Sequence, residues 1–209
     1  MKRIAESTVR RLSLYLGFLE NRESEGGATI SSDELAQLGG TTSAQVRKDL
    51  SLFGSFGKRG LGYSVPELSL KIREILGLEK EWKVCIVGAG KIGAALARYR
   101  GFAERGFTIA AVYDTDPAKI GKKWEILTVR DVAHLQRDAA VERFDIAVLA
   151  TPAESTAEVV RSIVAGGIKA ILNFAPTQLN VPPDVTVRAV NMAIELEALS
   201  FALHNRAGG

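Results

Sequence analysis

Three glycines spaced as G-x-G-x-x-G, at Gly88, Gly90 and Gly93, carry the most specific chemical signal in the chain. The apolar run Lys83-Val84-Cys85-Ile86-Val87 leads into them, and a helical pattern through Leu96 and Tyr99 follows. The next apolar segment, Phe107 to Tyr113, ends in the acid Asp114. A strand, a glycine turn, a helix and a second strand closed by a carboxylate is the arrangement that cradles a dinucleotide. In it, Gly88 makes the tight turn, Gly90 admits a pyrophosphate close to the backbone, and Gly93 lets the helix pack on the sheet. Ala89, Lys91 and Ile92 complete the loop. Its N–H groups, at a helix N-terminus, offer donors and positive potential to phosphate. Asp114 is expected to accept hydrogen bonds from the adenosine ribose hydroxyls, and its charge would repel a 2′-phosphate. The predicted ligand is therefore NAD⁺ or NADH rather than the phosphorylated forms.

A second chemical signal lies nearer the N-terminus. Between Thr41 and Tyr63 stand four cations, Arg47, Lys48, Lys58 and Arg59, against one anion, Asp49. Arg10 and Arg11 add a basic pair in the first helical stretch. Clustering of this kind marks a phosphate-binding surface, although net charge is only +3. Ser31 with Glu34, and Thr42 with Gln45, are two capping signatures on either side of Gly39-Gly40. Two short helices joined by a glycine turn make a helix-turn-helix outline, with Gln45, Arg47 and Lys48 on the second helix. Gly54 to Val65, glycine-rich with Lys58 and Arg59 at its tip, is predicted to be a basic hairpin, a wing.

These groups need two scaffolds. Residues 1–79 are predicted to be a winged helix-turn-helix domain. Val9, Leu12, Leu16 and Leu19 form the face of a first helix, and Pro66 opens a last one over Leu68, Ile72, Ile75 and Leu76. Residues 82–190 alternate strands with helices, which implies a doubly wound parallel sheet of Rossmann type. Its strands are expected at 83–87, 107–113, 144–150 and 168–174, with a polar helix over Arg130–Arg137. Residues 191–209 form a last amphipathic helix bearing Ile194, Leu199, Phe201 and Leu203. That helix follows a sheet complete without it, so its apolar face is expected to bury against a partner subunit.

Other classes fit less well. No run of about 18 apolar residues offers a membrane span. The N-terminus runs straight into an amphipathic pattern, which points to the cytoplasm rather than to a signal peptide. Cys85 is the only cysteine, so no intrachain disulfide or Cys/His zinc site is expected. It lies mid-strand, as a buried structural thiol would. Hydride-transfer enzymes need an acid or base beside the nicotinamide. The two histidines, His134 and His204, follow no strand end where such a group would sit. The dinucleotide is thus expected to be a sensed ligand and not a substrate. The alternative is a small NAD-dependent oxidoreductase with a helical dimerisation domain.

The two halves together resemble the redox-sensing transcriptional repressor family Rex. The resemblance rests on Val46-Arg47-Lys48-Asp49-Leu50-Ser51, on Gly54 to Tyr63, on the Gly88–Gly93 loop, on Gly167 to Pro176 and on Leu199-Ser200-Phe201. It implies a homodimer with a C-terminal helix swapped between subunits, bound to a two-fold operator. NADH would weaken DNA binding, and NAD⁺ would compete without the same effect. It implies further that Arg47 and Lys48 face the major groove, where they suit guanine O6 and N7. Lys58 and Arg59 would contact the minor groove or phosphates, with Arg10 and Arg11 near the DNA backbone. Tyr99 would lie at the dimer interface. Thr151, Pro152, Phe174 and Ala175 would line the nicotinamide pocket, with Met192 inserted by the partner subunit. Asn191 stands where many family members carry an aspartate: the charge is absent, and the hydrogen-bonding capacity remains.

Overall fold

The computed structural model describes residues 4–57, 61–124 and 126–207; the wing cations Lys58 and Arg59 lie outside the described residues. The chain divides into two compact units, Met1–Lys80 and Glu81–Gly209.

In the first unit, α1 (Glu6–Ser24) buries Leu12, Tyr15, Leu16 and Leu19 at helical spacing. The capping box opens α2 (Ser32–Leu38): the Glu34 N–H donates to Ser31 Oγ at 3.1 Å, and the Ser31 N–H to Glu34 Oε2 at 2.7 Å. Thr42 Oγ1 accepts from the Gln45 N–H at 3.2 Å and starts α3 (Ser43–Ser51). Pro66 lies in the first turn of α4 (Val65–Ile75), whose Leu68 and Ile72 join α1 in the core. The tip of the hairpin expected within 54–65 lies outside the described residues, and the stretch after it pairs with a distant segment. Strand β2 (Tyr63–Ser64) pairs antiparallel with β1 (Thr29–Ile30), more than thirty residues earlier. Glycine spacing signals a turn but carries no information about a distant partner strand, and here the extended backbone at 28–30 supplies it. The Val65 N–H adds a bond to Ala28 O at 2.9 Å.

Asp49, on α3 and only 1% exposed, ties that helix to α1. Its carboxylate accepts from Arg11 Nε at 2.6 Å and Nη2 at 2.8 Å, Gln45 Nε2 at 2.9 Å, Tyr15 OH at 3.2 Å and Thr8 Oγ1 at 3.3 Å. Burial alone would raise its pKa, but the bonds from Arg11 and Gln45 outweigh burial and hold it below the usual carboxylate range. Burial, reinforced by the Asp49 charge, pushes the Tyr15 phenol up to about 12.

The second unit is a seven-stranded sheet. Its strands are β3 (Trp82–Val87), β4 (Phe107–Asp114), β5 (Lys123–Trp124), β6 (Leu127–Asp131), β7 (Ile146–Leu149), β8 (Ala170–Asn173) and β9 (Thr186–Ala189). Their order is β5-β6-β4-β3-β7-β8-β9, with every pair parallel except β5–β6. The order reverses at β3, and a glycine loop follows that strand, as in other doubly wound sheets. β6 and β9 were not expected: β6 mixes Thr128, Arg130 and Asp131 with two apolar residues, and β9 is a four-residue edge strand after Pro182 and Pro183. The predicted polar helix begins later than Arg130. Arg130 and Asp131 end β6, and the Asp131 carboxylate caps a 3₁₀ turn (Val132–His134) before α7 (Leu135–Glu142).

One face of the sheet, with Cys85, Val87, Ala111 and Leu149, is covered by α7 and α8 (Ala153–Ala165). On the other face, Leu96 and Ala97 of α5 (Lys91–Arg98) and the Trp124 ring pack against Val84, Ile86 and Val112. A short α6 (Arg100–Glu104) returns the chain to β4. Toward β8 and β9 this second face holds an apolar groove of about 270 Å³ along Ile109, Ile146, Val148 and Leu172. The C-terminal helix α9 (Met192–Ala207) leaves its apolar side chains in solvent, with Met192 72% and Phe201 70% exposed.

Replacing Asp49 with alanine strands the Arg11 charge and loosens α3 from α1. Loss of one partner of a fully buried ion pair costs about 3–5 kcal/mol, and Arg11, its side chain 23% exposed, keeps some water and so brings the loss below that range. Urea unfolding of the first unit should register that loss, with the second unit's transition unmoved. The depressed pKa sets the sign with pH: the Asp49 contribution is complete above the unfolded carboxyl pKa, near 4, and is lost as pH falls through the lower folded value.

Candidate functional site

A cleft of about 680 Å³ opens at the carboxyl ends of β3, β4, β7 and β8. Open α/β sheets bind ligands there, at the point where strand order reverses. Gly88 has φ +111°, and a Cβ on it would lie 2.4 Å from Ala150 O. Gly93 sits beneath the loop, where a Cβ would meet Gly88 O at 2.0 Å and the Trp124 ring at 3.3 Å. Gly90 has nothing within 4 Å of a Cβ position and borders the cleft, beside Lys91 and Ile92 at the start of α5. Two glycines thus close the backbone on itself and the third keeps it open to the cleft. The geometry fits the pyrophosphate of a dinucleotide, held at a helix N-terminus with the Lys91 cation beside it.

Asp114 stands at the far end of this loop, 8% exposed. Its Oδ2 accepts from the Ala89 N–H at 2.7 Å and from Lys119 Nζ at 3.0 Å, and its Oδ1 from the Asp116 N–H at 2.9 Å. Burial works to raise its pKa, but the Asp116 N–H, Lys119 and the Ala89 N–H outweigh it, so the group stays a carboxylate. The Ala89 N–H is therefore committed to Asp114.

Opposite the loop, Thr151, Pro152 and Ser155 at the start of α8, with Phe174 and Pro176 after β8, form the other wall. Buried Thr156 braces it: its hydroxyl donates to Pro152 O at 2.8 Å and lies 3.1 Å from Thr151 Oγ1. Asn173, 2% exposed, shapes the rest. Its Oδ1 accepts from the Ala175 N–H and its Nδ2 donates to Thr177 O, each at 2.9 Å. Ala175 itself is buried behind the wall. Asn173, Thr156, Asp116 and Lys119 were missed in the sequence. Asp116 and Lys119 lie on a turn, Thr156 in the first turn of α8 and Asn173 at the end of β8, places where side-chain periodicity gives no signal.

Other expected residues lie apart from the cleft within this chain. Tyr99 is exposed between α5 and α6, edge-on to Phe102 with ring centroids 5.0 Å apart. Asn191 caps α9, accepting from the Ala193 N–H at 3.0 Å, and Met192 points to solvent rather than lining the cleft. Burial pushes the Cys85 thiol up to about 12, which leaves no thiolate for chemistry at neutral pH. Neither histidine lines the cleft. Among the described residues, no group of His, Cys, Asp and Glu side chains could hold a metal, and no helix is long and apolar enough to cross a membrane.

In the first unit, α3 presents Arg47 and Lys48 to solvent. Arg47 Nη1 reaches back to Ser32 Oγ at 2.9 Å and so spans α3 and α2. Arg11 and Gln45, expected on the DNA side, instead turn donors inward onto Asp49. A buried carboxylate demands such partners, and α1 and α3 supply the nearest ones. Arg10 is exposed, 3.6 Å from Glu6.

Two family models match the chain: "Putative DNA-binding protein N-terminus" over residues 3–51 and "CoA binding domain" over residues 79–177. The redox-sensing transcriptional repressor Rex of Carboxydothermus hydrogenoformans is 48% identical over 202 residues, which span 95% of this chain and 96% of that protein. The crystal structure of RSP with β-NAD⁺ and operator DNA superposes with a TM-score of 0.92 at 35% identity, covering 99% of this chain and 95% of that one. The structure of RSP with β-NADH gives 0.90 at 34% identity, covering 99% and 97%.

Gly93→Ala places a methyl group inside the Gly88 carbonyl, so loop and helix must part. Overpacking of this kind costs about 1–3 kcal/mol. Calorimetry should show the second unit melting lower, with dinucleotide affinity reduced at least in proportion. Gly90→Ala should leave the melting temperature nearly unchanged while still weakening the ligand, because its Cβ projects into open space.

Proposed function

The chain belongs to the Rex family of redox-sensing transcriptional repressors, and from that premise we propose that it binds a two-fold operator as a homodimer and leaves it when NADH fills the cleft. One observation carries this reading. A cradle whose three glycines meet the steric demands of a pyrophosphate loop shares a chain with a capped helix-turn-helix that exposes Arg47 and Lys48. Among the solved relatives, RSP binds NAD⁺ together with operator DNA in one structure and NADH in another. Operator DNA and NADH meet in the bacterial cytoplasm, and we place the protein there as a regulator and not as an enzyme.

On the DNA, Arg47 and Lys48 read base edges in the major groove, and Lys58 and Arg59 hold the minor groove or phosphates. Arg10 approaches the backbone. Arg11 and Gln45 serve by fixing α3 through Asp49. In the cleft, Gly88, Gly90, Lys91 and Ile92 hold the pyrophosphate, and Asp114 faces the ribose. Thr151, Pro152 and Phe174 take the nicotinamide. That wall is largely apolar, and desolvating a cationic ring against it is costly, whereas the reduced ring is neutral. Each redox form shifts the conformation only as far as it binds one conformation more tightly than the other.

The dimer accounts for two apolar surfaces at once. The uncovered groove along Ile146, Val148 and Leu172 and the exposed face of α9 each need a cover. A swapped α9 supplies both and brings the partner subunit's Met192 toward the nicotinamide. Tyr99 and Asn191 then lie at the interface. Two-fold dimers read half-sites at fixed spacing, so a small rotation between subunits misplaces a recognition helix.

An operator gel shift with NADH or NAD⁺ tests the reading: NADH should release the duplex and NAD⁺ should not, and retention under both would end it. Lys48→Ala should weaken operator binding by roughly 1–3 kcal/mol and relax base preference. An equal loss on random DNA would make Lys48 a phosphate contact. A chain ending before Asn191 should be monomer-prone, bind NADH, and fail to respond to it on DNA. A truncated protein that stays dimeric and NADH-responsive contradicts the swap.

A further inference from the structure

We propose that Lys119 and Asp116 act together with Asp114 to decide whether this protein accepts NADH or NADPH. The inference rests on the dinucleotide reading of the cleft and deepens it at the adenosine ribose.

Asp114 has less to offer a ligand than its position suggests. An ionised carboxylate has about four lone-pair sites. Three are occupied: the Ala89 N–H and Lys119 Nζ share Oδ2, and the Asp116 N–H takes one site on Oδ1. One site remains, and the adenosine ribose of NADH carries two hydroxyls. The second hydroxyl needs another partner at the same end of the cleft.

Lys119 and Asp116 both border the cleft there, on the turn that follows β4. Lys119 Nζ lies 3.0 Å from Asp114 Oδ2 and 3.9 Å from Asp116 Oδ2, and its side chain is 41% exposed. It has donors to spare for a hydroxyl oxygen. Asp116 Oδ1 accepts from the Ala118 N–H at 2.9 Å, which pins the carboxylate and leaves Oδ2 on the side of Lys119. The ribose therefore meets two carboxylates bracketing one ammonium.

The two residues pull selectivity in opposite directions. A 2′-phosphate brings close to two negative charges. Asp114 and Asp116 repel it, and Lys119 attracts it. For a neutral hydroxyl, the same three groups act only as hydrogen-bond partners. Discrimination thus follows the local sum of charges, and Asp114 alone does not set it.

Fluorescence titration of NADH and NADPH into the full-length protein, Lys119→Met and Asp116→Asn tests this. Removing one unit charge near a partly exposed phosphate changes affinity by about tenfold. Lys119→Met should raise the preference for NADH over NADPH by about that factor. Asp116→Asn should lower it by a similar factor, with NADH affinity changed far less. Selectivity within twofold of the unaltered protein in both variants overturns the proposal and leaves the dinucleotide reading standing. An unaltered protein that binds neither nucleotide overturns both. Lys119→Met could lose its fold along with its grip on Asp114; Asp116→Asn then decides alone, because its Oδ1 acceptor survives the change.

Discussion

The N-terminus of α5 meets the end of β3 so closely that one methyl group at Gly93 would overlap the Gly88 carbonyl. That approach sets the rest of the second unit's function. It aims the first N–H groups of α5 into the cleft, leaves Gly90 facing open space, and brings the Ala89 N–H within 2.7 Å of Asp114. The carboxylate is thereby held at one end of the loop, and Lys119 is drawn onto it. In the proposed reading, a phosphate cradle and a ribose end both follow from the close packing of two glycines, Gly88 and Gly93. Trp124, stacked over the same contact from β5, closes the packing from outside.

The first unit has a comparable centre of a different kind. Asp49 gathers five hydrogen bonds from four side chains on α1 and α3. Buried charge is an expensive way to join two helices, and an apolar contact would hold them as firmly. What the carboxylate adds is direction, since the fork of Arg11 and the amide of Gln45 must both meet it. The faces of α3 are then assigned: Gln45 and Asp49 inward, Arg47 and Lys48 outward.

Local signals carried much of this architecture. Ser31 with Glu34 and Thr42 with Gln45 placed two helices by their caps, and the Gly88–Gly93 spacing placed the cleft. What escaped was non-local or non-periodic. β2 pairs with β1, more than thirty residues earlier, and no local pattern records that choice. β6 and β9 are short and mixed in character, and the neighbours they pair with make them strands. Arg11 looked like a surface cation because its partner lies 38 residues away on another helix. Asp116 and Lys119 shape the cleft from a turn, and Asn173 from the last position of β8, where identity matters more than spacing. The apolar groove beside β8 was invisible for another reason: no helix lies between β8 and β9 to cover that face.

In the proposed function, dinucleotide and operator compete for one homodimer through its conformation. Linkage makes the coupling reciprocal, so whatever factor NADH takes from operator affinity, operator must take from NADH affinity. The most direct measurement is a fluorescence titration of NADH into the protein alone and into the protein saturated with operator duplex. Operator should weaken NADH binding by the same factor by which NADH weakens operator binding, and leave NAD⁺ binding little changed. Equal NADH affinity with and without operator would contradict the account.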